Sequence, residues 1–86
     1  MNSEDREKLE LARAAEAKKL EGNSAYKAKD FPTAISLYSE AISMCPTEFT
    51  YYTNLAAVYF EMKDFEKVIE TCDIVIQKAK EGPYDF

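Results

Sequence analysis

The sequence predicts an all-α protein, an α-solenoid built from antiparallel helix-turn-helix repeats. The triplet Lys29-Asp30-Phe31 returns 34 residues later as Lys63-Asp64-Phe65, and the apolar residues around both copies return in the same register. Within each copy these residues follow the spacing of one face of an amphipathic helix. The chain also has only two Gly and three Pro in 86 residues, which favours helices over a multi-stranded sheet. A fixed period of this length is typical of stacked helical repeats, which offer a curved binding surface.

The first helix is predicted from about Ser3 to Ala28, because this segment consists mainly of strong helix formers such as Ala, Glu, Lys, Leu and Arg. Its first half is either a capping extension or a frayed, solvated arm. Gly22 lies inside the helix, where glycine costs about 1 kcal/mol relative to Ala. We attribute this cost to close packing of the following helix.

Three further helices follow, joined by tight turns. The second is predicted from about Pro32 to Met44, with Asp30 as its cap and a proline in its first turn, where the missing N–H costs nothing. The third runs from about Glu48 to Met62 and the fourth from about Phe65 to Lys80. Helices joined by turns this short pack antiparallel.

The helices pair into two repeats, and the last helix has no successor to cover it. The chain divides into an N-terminal helical extension (1–14), a first repeat (15–48), a second repeat (49–82) and a stub leading toward a missing third repeat (83–86). We expect an apolar strip near Val75, Ile76 and Ala79 to stay exposed and to favour self-association.

Composition and charge narrow the classes of function. The net charge of −5 argues against nucleic acid, whose binding needs Lys and Arg to neutralise phosphates. No segment approaches the roughly 20 apolar residues that cross a bilayer, and the N-terminal residues are charged rather than typical of a signal peptide. We therefore expect a cytoplasmic protein with no membrane partner.

The chain lacks the residues that most enzymes need. It contains no His, which removes the commonest general base and every Ser-His or Cys-His nucleophile. Two separated cysteines are too few for a zinc site, which takes about four ligands. Cys45 and Cys72 fall on apolar helix positions, and we expect both to be buried, reduced thiols. We predict no enzymatic activity, no metal and no cofactor.

Two segments resemble a known repeat family. Residues Gly22 to Pro46, GNSAYKAKDFPTAISLYSEAISMCP, resemble one tetratricopeptide repeat (TPR) almost position for position. Residues 49–80 resemble a second, with Lys80 where the family usually has Pro. The shorter segments KKLEGNSAYK and TYYTNLAAVYFE together resemble the middle TPR domain of the Hop/stress-inducible organising co-chaperones. In that family such domains hold the acidic C-terminal tail of a heat-shock chaperone in a carboxylate clamp.

The resemblance implies a set of site residues and a partner. The implied clamp residues are Lys19, Asn23 and Asn54, and the implied groove-lining residues are Tyr26, Thr50, Ala57 and Glu61. The implied partner is the acidic C-terminal peptide of a heat shock protein 90 class chaperone, more than of the 70 class. The family completes its clamp with a Lys and an Arg from a third repeat. Because this chain ends before one begins, we expect a fragment that carries about half of the clamp.

The residues themselves support one shared groove. Lys19, Asn23 and Tyr26 are spaced i, i+4, i+7 and so share one helix face. Lys and Asn supply N–H donors that suit a carboxylate, which only accepts. Tyr26 fits a core position equally well, and Glu61 would repel an acidic tail unless it accepts a backbone N–H from the peptide. Two other functions remain open: a TPR scaffold for an unrelated segment, and the targeting domain of a larger enzyme.

Overall fold

The computed structural model of the chain describes residues 3–81, which form four α-helices and no strand. The helices are α1 (Ser3–Lys27), α2 (Phe31–Met44), α3 (Phe49–Glu61) and α4 (Phe65–Glu81). The predicted all-α class is confirmed, and every helix boundary within this range lies one residue or less from its predicted position. The predicted stub, residues 83–86, lies outside the described residues.

The repeated triplet builds the same turn twice. Lys29 and Lys63 both adopt a left-handed backbone with φ of 62°, a conformation that costs a non-glycine residue about 1–2 kcal/mol. The next residue caps the following helix in both copies: Asp30 Oδ1 accepts from the Thr33 N–H at 3.5 Å, and the Asp64 carboxylate accepts from Lys67 at 3.4 Å. The predicted capping role of Asp30 is therefore confirmed, and one local motif fixes the pairing of α1 with α2 and of α3 with α4.

The core lies where α3 packs across the first helix pair. One buried cluster joins α2 to α3 and consists of Ala34, Tyr38, Leu55 and Val58. A second joins α1, α2 and α3 and consists of Ala15, Ala41 and Tyr51. Small residues on α2 let the large residues of α3 approach closely, so α3 is held by two helices at once. This seat fixes how α1 and α3 face each other.

Gly22 is needed for this packing. A Cβ added at Gly22 would lie 2.7 Å from Cε1 and 2.8 Å from Cδ1 of the Tyr38 ring, closer than real Cβ contacts come. The tyrosine is only 2% exposed, so its ring has little room to move. Close packing of the following helix, predicted as the reason for this glycine, is confirmed.

The last helix is covered far less than α2. Its one buried residue is Thr71, whose hydroxyl donates to the carbonyl of Lys67 at 2.7 Å. Ile69 is 61% exposed and Ile76 50%. The prediction of a buried Cys72 is wrong, since the residue is exposed, and Cys45 is only half-buried. The reason is positional: α3 covers the equivalent face of α2, and no helix within residues 3–81 covers that face of α4.

The N-terminal half of α1 is helical but solvated. Residues 3–14 are all exposed, and Ala15 is the first buried residue of the helix. Of the two alternatives left open by the sequence, the segment is neither frayed nor packed as a cap within the described residues. It is a continuous helical arm.

Candidate functional site

A small pocket opens between the facing surfaces of α1 and α3, with α2 as its floor. Its volume is about 150 Å³. The five residues that line it are Asn23, Tyr26, Tyr38, Asn54 and Ala57. Four of them are site residues predicted from the sequence, two from each helix. The pocket therefore brings together the two asparagines that lie 31 positions apart in the chain.

Asn23 is held in place by a tyrosine from the next helix. The Tyr38 hydroxyl donates to Asn23 Oδ1 at 2.5 Å. Burial, and secondarily the nearby Tyr26, raises the pKa of Tyr38, so its hydroxyl stays protonated and able to donate. With its oxygen occupied, the Asn23 amide keeps its two N–H donors for another acceptor. Half of this asparagine's hydrogen-bonding capacity is thus fixed before any ligand arrives.

Tyr38 is the site residue that sequence reasoning missed, because the helical spacing assigned it to the core alone. It serves both purposes: its ring packs against Gly22 and its hydroxyl reaches the adjacent Asn23. A signal was available in the sequence. A ring that fills the space beside Gly22 must end close to the neighbouring residue, which is Asn23.

Asn54 faces the same pocket from α3 and is half-buried. Its side chain makes no hydrogen bond with any residue in the range 3–81. Both of its N–H groups and its carbonyl oxygen are therefore available. The two asparagines differ in this respect, since one is oriented by a protein partner and the other is free to adapt to what enters.

Two of the predicted residues do not line this pocket. Lys19 lies one turn before Asn23 on α1, and its ammonium forms an ion pair with Glu16 on the same helix. Thr50 lies at the start of α3, where its hydroxyl donates to Glu48 at 3.0 Å. Both are engaged locally, and a ligand that reached Lys19 would compete with the Glu16 carboxylate.

Glu61 contacts the site through Tyr26. The Tyr26 hydroxyl donates to Glu61 Oε1 at 3.3 Å, and the two residues line a second pocket of about 220 Å³ beside the first. Burial, followed by the charge of Glu61 and this hydrogen bond, raises the pKa of Tyr26. Tyr26 is half-buried and packs against the core cluster of Ala34, Tyr38, Leu55 and Val58, so both of its predicted roles hold.

The first pocket suits an acceptor with a negative charge. It is lined by amide and hydroxyl groups and by no carboxylate, whereas a carboxylate ligand needs N–H or O–H donors. Within the described residues there is no group of three or more potential metal ligands. No helix in residues 3–81 is both long and apolar enough to cross a membrane.

The same part of the chain matches a family of repeats. Residues 22–63, which contain both asparagines, match the family model described as TPR repeat. The fold is that of a tetratricopeptide repeat domain. A solved structure, the N-terminal domain of stress-induced protein-1 (STI-1) from C. elegans, superposes with a TM-score of 0.78 at 41% sequence identity, covering 87% of this chain and 59% of that one.

Relatives of this TPR domain include co-chaperones. Hsp70-Hsp90 organizing protein 3 of Arabidopsis thaliana is 41% identical over 86 residues, all of this chain and 15% of the relative. The Pisum sativum protein named translocon at the outer membrane of chloroplasts 64 is 39% identical over 69 residues, 80% of this chain and 12% of the relative. The chain thus spans less than a sixth of the length of either relative.

Proposed function

We propose that the chain is a non-enzymatic adaptor that docks the acidic C-terminal tail of a heat shock protein 90 or 70 class chaperone. Lys19, Asn23 and Asn54 form a partial carboxylate clamp, and the pocket between α1 and α3 receives the terminal carboxylate. The observation that carries the proposal is the pairing of two asparagine amides across one pocket, one of them with its oxygen already occupied by Tyr38. That arrangement leaves N–H donors directed at an incoming acceptor.

The expected affinity is modest. Each hydrogen bond to a charged group contributes about 1.5–3 kcal/mol, so three contacts give about 4.5–9 kcal/mol before the peptide is ordered. Lys19 must also leave its ion pair with Glu16. The net charge of −5 adds an unfavourable long-range field for an acidic peptide. Binding in the micromolar range or weaker is the result we expect.

The remaining predicted residues would shape the groove around the clamp. Tyr26 and Ala57 form walls of the pocket, and Glu61, held by the Tyr26 hydroxyl, is placed to accept a backbone N–H of the peptide. Thr50 contributes at the N-terminal end of α3. We further propose that the chain corresponds to a middle TPR domain acting in the cytoplasm, although the solved relative described above is an N-terminal domain.

A matched pair of peptides tests the proposal. Isothermal titration calorimetry would compare an acidic pentapeptide ending in a free carboxylate with the same peptide amidated. We expect binding of the free acid alone, and a loss of about tenfold or more for Asn54→Ala, since one charged hydrogen bond is removed. Gln77→Ala is the control, because it truncates an exposed amide on α4. Equal affinity for the free and amidated peptides would refute the clamp.

We also propose self-association of the chain through α4. A groove of about 320 Å³ between α3 and α4 is open, and seven residues line it: Tyr52, Thr53, Ala56, Thr71, Cys72, Val75 and Ile76. By the 34-residue repeat, these positions correspond to the surface of α1 and α2 that seats α3. A helix of a second copy is the occupant this surface suits.

A further inference from the structure

A second pocket lies beside the candidate clamp, where α1 and α3 end. Its volume is about 220 Å³, and Tyr26, Lys27, Lys29, Phe31 and Glu61 line it. Lys27 is the last residue of α1 and Lys29 belongs to the following turn. The sequence analysis assigned no function to either lysine.

The charges of this pocket are unbalanced toward the positive. It holds two ammonium groups and one carboxylate, in a chain whose net charge is −5. Neither lysine forms an ion pair within the described part of the chain. One Glu61 oxygen is already occupied by the Tyr26 hydroxyl. The two lysines are therefore cations without a carboxylate partner, at the edge of a groove proposed to take an acidic peptide.

The two pockets are continuous because Tyr26 lines both. The Tyr26 and Phe31 rings, with centroids 6.2 Å apart, contribute the apolar part of the second one. From Asn23 to Lys27 or Lys29 is four to six positions along α1 and its turn, or roughly 6–9 Å at 1.5 Å per helical residue. An extended peptide covers about 3.3 Å per residue. The second pocket is thus two to three peptide residues from the first.

We propose that this pocket is a subsite for an acidic side chain, placed two or three residues before the terminal carboxylate of the bound peptide. The inference rests on the proposed function, since the clamp fixes where the peptide ends. It adds a requirement that the clamp alone does not impose: a Glu or Asp at one defined position.

The second repeat supplies a matched control. At the equivalent place it carries Phe60, Glu61, Lys63 and Phe65, so the counterpart of Lys27 is an acid and the excess of cations is absent. Lys29 and Lys63 have the same backbone φ of 62°. Replacing either by glycine removes an ammonium from the same left-handed turn, and only Lys29 borders the proposed subsite.

The test uses a set of acetylated alanine hexapeptides that end in a free Asp. Each carries a single Glu at the second, third, fourth or fifth position from the end, and binding is measured by NMR titration of the labelled protein. We expect the peptide with Glu at the third or fourth position to bind best, and Lys29→Gly to weaken only that peptide, by about 1.5- to 5-fold, as for a solvent-exposed ion pair. Lys63→Gly should leave all four affinities unchanged. Added salt should remove the preference by screening.

The residue-resolved shifts separate this subsite from the clamp. Shifts at the side chains of Asn23 and Asn54, with no dependence on Glu position and no effect of Lys29→Gly, would overturn the subsite and leave the clamp intact. Shifts in Lys27–Phe31 that depend on Glu, without any at the two asparagines, would support an acidic subsite and overturn the clamp. No shift at millimolar peptide would refute both.

Discussion

Gly22→Ala tests the packing that positions the candidate site. The added methyl carbon would lie 2.7 Å from Cε1 of Tyr38, and this ring is only 2% exposed. Overpacking of this kind costs about 1–3 kcal/mol, whereas Ala is favoured over Gly in a helix by about 1 kcal/mol. We therefore expect a net loss in the free energy of unfolding of about 0–2 kcal/mol. The Tyr38 ring should shift, and the Asn23 carbonyl it holds should shift with it.

Urea denaturation followed by circular dichroism measures the change, and a second background makes the test sharper. In a Tyr38→Leu protein the ring is gone, so Gly22→Ala should now stabilise by up to about 1 kcal/mol through helix propensity. The sign of the effect is expected to reverse between the two backgrounds. A stabilisation of the same size in both would refute the packing explanation for this glycine.

Four further outcomes follow from the described contacts. Lys63→Gly should stabilise the fold by about 0.5–1 kcal/mol, because it relieves a left-handed φ of 62° at the entropic cost of glycine; an unchanged urea midpoint would contradict this. Burial raises the pKa of Tyr38, so the stability that this group contributes is complete below about pH 10 and is lost as pH rises toward its folded pKa. Tyr38→Phe should therefore fall less steeply in stability than the wild type between pH 9 and 11.5, and parallel curves would count against it. Glu16→Gln should free Lys19 from its ion pair and raise affinity for a free-acid peptide by up to about fivefold; calorimetry showing weaker binding would argue otherwise. Ile76→Lys places a charge on a residue that is 50% exposed and should abolish self-association in sedimentation equilibrium, which a monomeric wild type at high concentration would disprove.

The local structure was predictable because it is written in short stretches of sequence. The triplet at Lys29 and Lys63 encodes two matching turns, and Asp30 caps the next helix as its position predicts. Gly22 indicated a close helix contact, which exists. Each of these features depends on residues a few positions apart, so helical geometry alone relates them.

What the sequence did not predict depends on neighbours that are remote in the chain or on side-chain rotamers. Cys72 has the apolar spacing of a buried residue, but burial requires a covering helix, and none within residues 3–81 lies over it. Spacing placed Lys19 on the face of Asn23, yet it does not tell which way a long side chain turns, and the ammonium pairs with Glu16. The role of Tyr38 was missed because a ring can be core while its hydroxyl is not.

The side-chain amide signals of the labelled protein test the central claim most directly. The chain has only three Asn and one Gln, so these NH₂ resonances are few and can be assigned individually. On addition of an acidic peptide with a free C-terminus, the signals of Asn23 and Asn54 should both move, while Gln77 stays in place and the amidated peptide moves none of them. Movement of the two asparagine signals by both peptides alike, or of neither by the free acid at saturation, would contradict a clamp formed by these two side chains.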